Sequence, residues 1–278
     1  MKLRTILLAT CAGLLTISGC GKNGLNADLV GDVIGGRNGQ YAKAIGHGAN
    51  AAAISEKDED ALGQSAAVAL TNRYGVYDDP KLLKYVTLVG LTVASASPNP
   101  NANYVFGILN TEEANASSGP NGYILITHGL IRQMKDEAEL AGVLAHEIGH
   151  VSSHDGLHQV QNAELRTGAA QAVNASTGAG QYINAGVDVL TKQAYTQPQE
   201  FDADKTGVRI MSAAGYDGQS YLRLLQRLRA AGGSSGSSTL MSTHPGLDAR
   251  IQHVEAQLRN VTPVGATLAD RFAKNAAK

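Results

Sequence analysis

Residues 136–152 read DEAELAGVLAHEIGHVS. Asp136 followed three residues later by Glu139 is typical of a helix start, where acidic side chains accept hydrogen bonds from free backbone amides. Apolar residues then recur at a helical period. They are Leu140, Val143, Leu144, Ile148 and Val151. The stretch therefore predicts a helix with one face buried in the domain.

This helix also carries His146, Glu147 and His150. Residues four apart stand one above the other on a helix, so both imidazoles can reach one cation. Zn²⁺ accepts imidazole nitrogens at about 2.0–2.1 Å and keeps a position for water in catalytic sites. Glu147 can take a proton from that water. His-Glu-x-x-His arises by chance in roughly one such chain in a hundred, so the motif predicts a zinc metalloendopeptidase with one Zn²⁺ per chain.

The third zinc ligand has to come from another part of the chain. A metzincin would need a histidine six residues after His150, where the sequence has Gly156. That arrangement is therefore excluded. His154 and His158 continue the four-residue spacing, but no Glu precedes them in the corresponding way and Gly156 interrupts the helix. We interpret both as residues outside the ligand set.

Glu200 is the better candidate for the third ligand. It belongs to the segment Glu-Phe-Asp-Ala-Asp at 200–204, on a predicted helix that lies far enough along the chain to fold back onto the first. Asp204, one turn later, can accept the outer N–H of a ligand imidazole and fix its tautomer. Asp202 points to another side and is expected to be solvated. The alternative for Glu200 is an ordinary exposed acid.

The rest of the chain predicts a small sheet packed on helices. Residues 104–109 and 123–127 are β-rich, and 110–122 between them is turn-prone. Further helices are predicted over 55–74, from Pro80 to before Pro98, and over 200–213, 219–230 and 248–259. The expected fold class is α+β, mostly α, with the small β-sheet packed on the active-site helix.

The N-terminus has the features of a secretory signal. Two cationic residues precede an apolar run that is too short to span a bilayer. Small residues before Cys20 resemble the bacterial lipobox, which implies a lipidated N-terminal cysteine; the alternative is a simple signal with a chance cysteine. Cys11 is the only other cysteine, so the mature chain would have no disulfide. Gly21 in place of Asp implies the outer membrane, on its periplasmic side.

These features divide the sequence into four parts. Residues 1–19 form the signal peptide, 20–50 a flexible tether, 51–260 the zinc metallopeptidase domain and 261–278 a C-terminal tail. The net charge of the 278 residues is -1, and aromatic residues are 5% with no Trp. This composition gives no indication of nucleic-acid binding.

Several blocks of the sequence resemble the peptidase family that holds HtpX and the CAAX prenyl protease. The resemblance covers about residues 55–258. The similar blocks are 122–131, 139–150, 200–204 with 213–217, and 242–245 with 250–251. It implies a gluzincin fold, Glu200 as third zinc ligand, Glu147 as base and a role for His244. The chain lacks that family's transmembrane helices and is similar to its short, lipid-anchored periplasmic members.

The resemblance leaves three interpretations of His244. The imidazole can stabilise the oxyanion of the tetrahedral intermediate, a role worth roughly 3–4 kcal/mol in other enzymes. It can instead occupy the open zinc position and keep the enzyme latent. The third interpretation is a helix-capping or turn residue before Pro245.

A peptide substrate is expected to pair with the edge strand that starts at Tyr104, Val105 and Phe106. The expected function is endopeptidase cleavage of periplasmic or outer-membrane polypeptides in protein quality control. The alternative is a zinc-containing chaperone or assembly factor for outer-membrane proteins, with latent proteolysis. Expected partners are polypeptides, the membrane through the anchor at Cys20, and outer-membrane assembly proteins.

Overall fold

A computed structural model describes residues 56–167, 186–192, 194–235, 242–259 and 265–276. The expected signal peptide, the lipidated Cys20 and the tether up to residue 50 lie outside these ranges. Within the described residues, no helix combines the length and the apolar character that crossing a bilayer requires.

Helices make up most of the described chain. They are α1 (Glu56–Tyr74), α2 (Pro80–Ala94), α3 (His128–Gln133), α4 (Glu137–Ser152), α5 (Asp155–Thr167), α6 (Gln197–Ala213), α7 (Gly218–Ser235), α8 (Leu247–Leu258) and α9 (Ala269–Ala276). A short helical segment also covers 186–192. Together with one small sheet, these helices confirm the predicted α+β, mostly α class.

The sheet contains β1 (Val105–Leu109), β2 (Ala116–Gly119) and β3 (Tyr123–Thr127), in the order β1-β3-β2. β3 is parallel to β1 and antiparallel to β2. β1 and β3 are the two predicted strands, whereas β2 lies within 110–122, the segment that the sequence predicts as a turn-prone insert. Its sequence Ala-Ser-Ser-Gly has little intrinsic strand preference. β2 therefore depends on its pairing with β3, a long-range contact that the local pattern does not reveal.

The helix α4 occupies the centre of the domain. Asp136 caps it, accepting a hydrogen bond from the Glu139 backbone amide at 2.9 Å, and the Glu139 carboxylate accepts one from the Lys135 amide at 2.8 Å. Every residue from Glu137 to His150 is buried. The helix is thus enclosed on all sides by α2, α6, α7 and the sheet, and not on one face alone.

Two glycines allow α4 and α6 to cross closely. A methyl group on Gly149 would lie 2.9 Å from the carbonyl oxygen of Ala203, and one on Gly207 would lie 3.1 Å from the backbone nitrogen of His146. Larger side chains at either position would force the two backbones apart. This close approach brings the acidic residues of α6 to the motif on α4.

Residues 265–276, which the sequence assigns to a tail, pack on the domain. The carbonyl oxygen of Thr267 accepts a hydrogen bond from the Ala138 amide at 3.1 Å, and Phe272 is buried in the core. Arg271 donates to the carboxylate of Glu137 in the first turn of α4. The packed domain therefore extends past residue 260. Its last segment holds the start of the central helix in place.

Glu137 also accepts hydrogen bonds from two buried donors, the hydroxyls of Tyr85 and Tyr216, each at 2.8 Å. Burial opposes ionisation of Glu137, but the hydrogen bonds from Arg271 and the tyrosines hold its pKa below the usual range. The unfolded carboxyl thus binds its proton at higher pH than the folded one. The stabilisation is complete above the unfolded pKa of about 4.3 and is lost as pH falls through the folded value.

Substitution Glu137→Gln should lower the free energy of unfolding by about 1–3 kcal/mol at pH 7, because it removes the charge that these donors stabilise. Urea unfolding at pH 7 and at pH 3.5 measures the difference from the unmodified protein, which should shrink in acid. Glu112→Gln is the matched control, since its partner Arg132 lies 3.1 Å away on the surface, where such pairs contribute at most about 1 kcal/mol. Equal losses in the two variants would contradict the prediction.

Candidate metal centre

Four buried residues converge between α4, α6 and the segment before α8: His146, His150, Glu200 and His244. One potential ligand atom from each lies within 4.8 Å of those of the others. The two α4 imidazoles approach through Nε2, at 3.2 Å from each other, and each Nε2 lies 3.5 Å from a Glu200 carboxylate oxygen. The structure thus brings together the three ligands that the sequence predicts, and adds His244 to them.

His244 presents Nδ1 to this cluster. Its Nδ1 lies 3.0 Å from Glu200 Oε1 and 3.4 Å from His146 Nε2. In a tetrahedral zinc site with bonds of about 2.0–2.1 Å, ligand atoms stand about 3.3 Å apart. Five of the six pairs among these four residues have separations of 3.0–3.5 Å, close to that value. Three imidazoles and one carboxylate therefore form a donor set of the right type and spacing for a divalent metal.

Each imidazole is oriented by an acceptor on its outer side. His146 Nδ1 lies 3.0 Å from Asp204 Oδ1, and His150 Nδ1 lies 2.8 Å from Asp155 Oδ2. His244 Nε2 lies 3.3 Å from the carbonyl oxygen of Ala116. An acceptor outside holds the N–H outside and leaves the inner nitrogen with a lone pair for a metal. Asp204 thus lies where the sequence predicts, whereas Asp155 is a residue that the sequence analysis missed.

The cluster carries an excess of buried negative charge. Glu147, Glu200, Asp155 and Asp204 are all at most 5% exposed. Among the described residues that contact them, Arg250 is the buried cation: it pairs with Glu200 Oε2 at 2.8 Å and Asp204 Oδ1 at 2.7 Å. Burial of unpaired charge is costly, so one guanidinium facing four carboxylates leaves a requirement for further positive charge. A divalent cation among the four ligands would supply it.

The pKa values of the metal-free cluster reflect the same excess of negative charge. Burial disfavours the charged form of His150, yet hydrogen bonds with Asp155 and Glu200 raise its pKa to about 9. Burial also opposes ionisation of Glu200, but the neighbouring His244 and Arg250 hold its pKa well below the usual range. Without metal the cluster therefore retains protons, and metal binding must displace them.

Glu147 has a different environment from the four ligands. Its side chain is 1% exposed, and among the described residues its Oε2 has no hydrogen-bond partner. Its Oε1 lies 3.6 Å from His244 Nε2. A buried, unpartnered carboxylate oxygen beside a metal cluster is suited to accept a hydrogen bond from a water molecule. This geometry agrees with the predicted role of Glu147 as a base.

Two further residues complete the cluster, and no local pattern singled them out. The Tyr195 ring stacks on His150, with centroids 3.9 Å apart and planes inclined by 13°. The Arg250 guanidinium donates to the Tyr221 hydroxyl at 2.8 Å, and that hydroxyl donates to Asp204 at 2.9 Å. Arg250 was visible beforehand only as part of a block that resembles a known family. Tyr195 gave no sequence signal.

The residues that the sequence analysis excluded from the ligand set lie outside the cluster. His154 is exposed and pairs with Glu59 at 2.9 Å, outside the cluster. His158 and Asp202 are exposed as well.

The predicted substrate edge strand and the strand that contacts the cluster are different strands of the sheet. Tyr104, Val105 and Phe106 lie on or just before β1, and β3 separates β1 from β2. Tyr104 and Phe106 are buried in the core. The edge strand that contacts the cluster is β2, through the carbonyl of Ala116. Substrate pairing at Tyr104, Val105 and Phe106 stays a prediction, and β2, which the sequence analysis did not recognise as a strand, is a second candidate edge.

Comparison with known proteins agrees with this geometry. Peptidase family M48 matches residues 80–258. The chain is 26% identical over 231 residues to the Beta-barrel assembly-enhancing protease of Escherichia coli O157:H7, covering 79% of this chain and 47% of that protein. It is 24% identical over 268 residues to Metalloprotease YcaL of Escherichia coli (strain K12), covering 93% and 98%.

A third relative is the Mitochondrial metalloendopeptidase OMA1 of Schizosaccharomyces pombe, 26% identical over 210 residues, or 74% of this chain and 62% of that protein. The chain spans about half the length of the Beta-barrel assembly-enhancing proteases that it matches. The family match covers more than half of the sequence and includes all four residues of the cluster. The chain therefore belongs to peptidase family M48.

Proposed function

We propose that this protein is a zinc-dependent endopeptidase of the bacterial envelope. The observation that carries the proposal is the pairing of a four-residue donor set with a buried carboxylate, Glu147, whose Oε2 has no partner among the described residues. A purely structural zinc site needs ligands but no base. Three nitrogen donors and one carboxylate favour zinc over magnesium or calcium, which prefer oxygen ligands.

His146, His150 and Glu200 would hold the metal, with Asp204 and Asp155 fixing the two α4 imidazoles. When bound, zinc would polarise the scissile carbonyl and lower the pKa of a water molecule. Glu147 would accept the proton of the attacking water and pass it to the leaving amine nitrogen. The burial of Glu147 keeps competing solvent away from this proton.

A polypeptide substrate would lie extended along β2. This strand has β3 on one side only and contacts the cluster on the other. Strand addition at such an edge recognises the backbone of the peptide and accepts varied side chains. The proposal therefore favours unfolded segments of diverse sequence as substrates, as protein quality control requires.

The proposed location is the periplasmic side of the outer membrane, through a lipid on Cys20. The support is the sequence up to Gly21, together with the name of one group of bacterial relatives. The Beta-barrel assembly-enhancing protease is named for assembly of β-barrel proteins, which favours outer-membrane assembly proteins as partners here too. Metabolic labelling with a clickable palmitate analogue, followed by membrane fractionation, tests the anchor against Cys20→Ser.

A second proposal is that His244 keeps the protein latent. It rests on His244 Nδ1, which stands at ligand distance from Glu200 and His146. With four protein ligands a zinc site is closed, whereas catalysis needs a position for water. This arrangement also accommodates the alternative function, a zinc-containing assembly factor whose proteolysis is switched off until His244 moves.

Substitution Glu147→Gln should reduce casein cleavage by about 10²–10⁴-fold, because the amide cannot accept the water proton. Zinc content should remain at one per chain, since Glu147 is outside the donor set. Fluorescent casein hydrolysis and metal analysis measure the two properties, with 1,10-phenanthroline-treated protein as the metal-free reference. Undiminished turnover in the variant would refute the assignment of the base.

Substitution His244→Ala should raise casein turnover by about tenfold if the imidazole closes the site, because the closed form then loses its fourth ligand. His154→Ala, which changes an exposed histidine outside the cluster, serves as the control and should leave the rate unchanged. A fall in kcat with zinc retained would instead indicate an oxyanion role for His244. An unchanged rate would eliminate both roles.

Substitution Asp155→Ala should weaken zinc binding by about 10–100-fold, since His150 loses the acceptor that orients its ring. Competition with a fluorescent chelator measures the dissociation constant. Asp202→Ala removes an exposed acid from α6 and should leave the affinity within about twofold of the unmodified protein. Identical affinities for both variants would show that Asp155 does not orient a ligand.

A further inference from the structure

The outer edge of β2 is already hydrogen-bonded to the protein itself. The Tyr195 hydroxyl donates to the carbonyl oxygen of Ser118 at 3.3 Å. Two residues earlier on the strand, His244 Nε2 lies 3.3 Å from the carbonyl oxygen of Ala116. Residues two apart on a strand face the same way, so both acceptors lie on the one edge that β3 leaves open.

These two carbonyls are the groups that an added strand would use. A peptide pairing with an edge strand donates its N–H groups to alternate carbonyls and accepts from alternate amides. The amide of Ala116 is also engaged, by Asn115 Oδ1 at 3.0 Å, and the same Oδ1 accepts from the Thr243 hydroxyl at 3.1 Å. Substrate pairing at this end of β2 therefore has to replace existing internal hydrogen bonds.

The two segments that supply these bonds are joined to each other. The backbone amide of Tyr195 donates to the carbonyl oxygen of Thr243 at 3.1 Å. Residues 194–196 and 242–245 are thus joined by a backbone hydrogen bond, and together they cover the outer edge of β2. Tyr195 is only 8% exposed and its ring lies on His150, so water does not compete freely for its hydroxyl bond.

We propose that Tyr195 is a gating residue of the substrate edge, whose hydroxyl occupies the position of a substrate N–H at Ser118. Binding of an extended, unfolded polypeptide requires this hydroxyl to leave, and the link to Thr243 couples its movement to that of His244. The inference rests on the proposed function, in that it takes β2 as the substrate edge. The inference goes beyond the proposed function by naming the residue that competes with the substrate.

Substitution Tyr195→Phe tests the gate, because it removes the hydroxyl bond and keeps a ring that can stack on His150. In the zinc-loaded Glu147→Gln background, a fluorescent unstructured casein peptide should bind about three- to tenfold more tightly in the double variant, as expected for the loss of one competing neutral hydrogen bond. Fluorescence polarisation measures the dissociation constant. With Glu147 intact, the same substitution should raise casein kcat/KM by a similar factor.

The matched control is Tyr77→Phe. Tyr77 stacks on His128 with the same centroid distance, 3.9 Å, and a similar inclination, 11°, but it lies beside β1 on the other side of the sheet. This variant should change neither peptide binding nor cleavage. Zinc content, measured for every variant, shows whether His150 is still held.

The outcomes separate the gating role of Tyr195 from the proposed peptidase activity. Unchanged peptide affinity in the Tyr195→Phe variant would overturn the gate. A lower kcat with unchanged affinity would also overturn it, since the hydroxyl would then act on the reacting atoms. Tighter peptide binding without chelator-sensitive cleavage in any variant would support the gate and refute the proposed peptidase activity.

Discussion

The interaction on which the structure depends is the close crossing of α4 and α6. Gly149 and Gly207 let the two backbones approach until Glu200 and Asp204 reach His146. This approach concentrates carboxylates in a space that water does not reach. Such a concentration of charge is unfavourable without cations. The fold therefore creates the electrostatic demand that a metal satisfies, and metal binding and the packing of these helices stabilise each other.

The sequence predicted those parts of the site that depend on local spacing. Two histidines four residues apart share a helix face whatever surrounds them, so His146 and His150 could be assigned as a pair, and Glu147 beside them. The α4 helix followed from its period and its cap at Asp136. Glu200 required more, because nothing in local spacing brings it to α4. It was identified from a second acidic helix segment together with a family resemblance.

The parts that the sequence did not predict depend on contacts between distant segments. β2 has the composition of a turn and exists because β3 pairs with it. Without this strand, the sequence analysis placed the substrate edge at β1, whereas the strand that contacts the cluster is β2. Asp155 reads as a helix-terminal acid until the turn after α4 carries it back to His150. Tyr195 is an unremarkable aromatic whose role depends on the positions of both His150 and Ser118.

The same contacts that orient the ligands also close the site. His244 uses one nitrogen toward the donor set and the other toward the Ala116 carbonyl, so it cannot leave the cluster without also releasing β2. Tyr195 links His150 to β2 in the same way. Access to the donor set and access to the outer edge of β2 are thus coupled through shared residues. A polypeptide that pairs with β2 would displace both contacts from this edge and free the metal position beside His244 in one event. The substrate itself would then supply the free energy for activation.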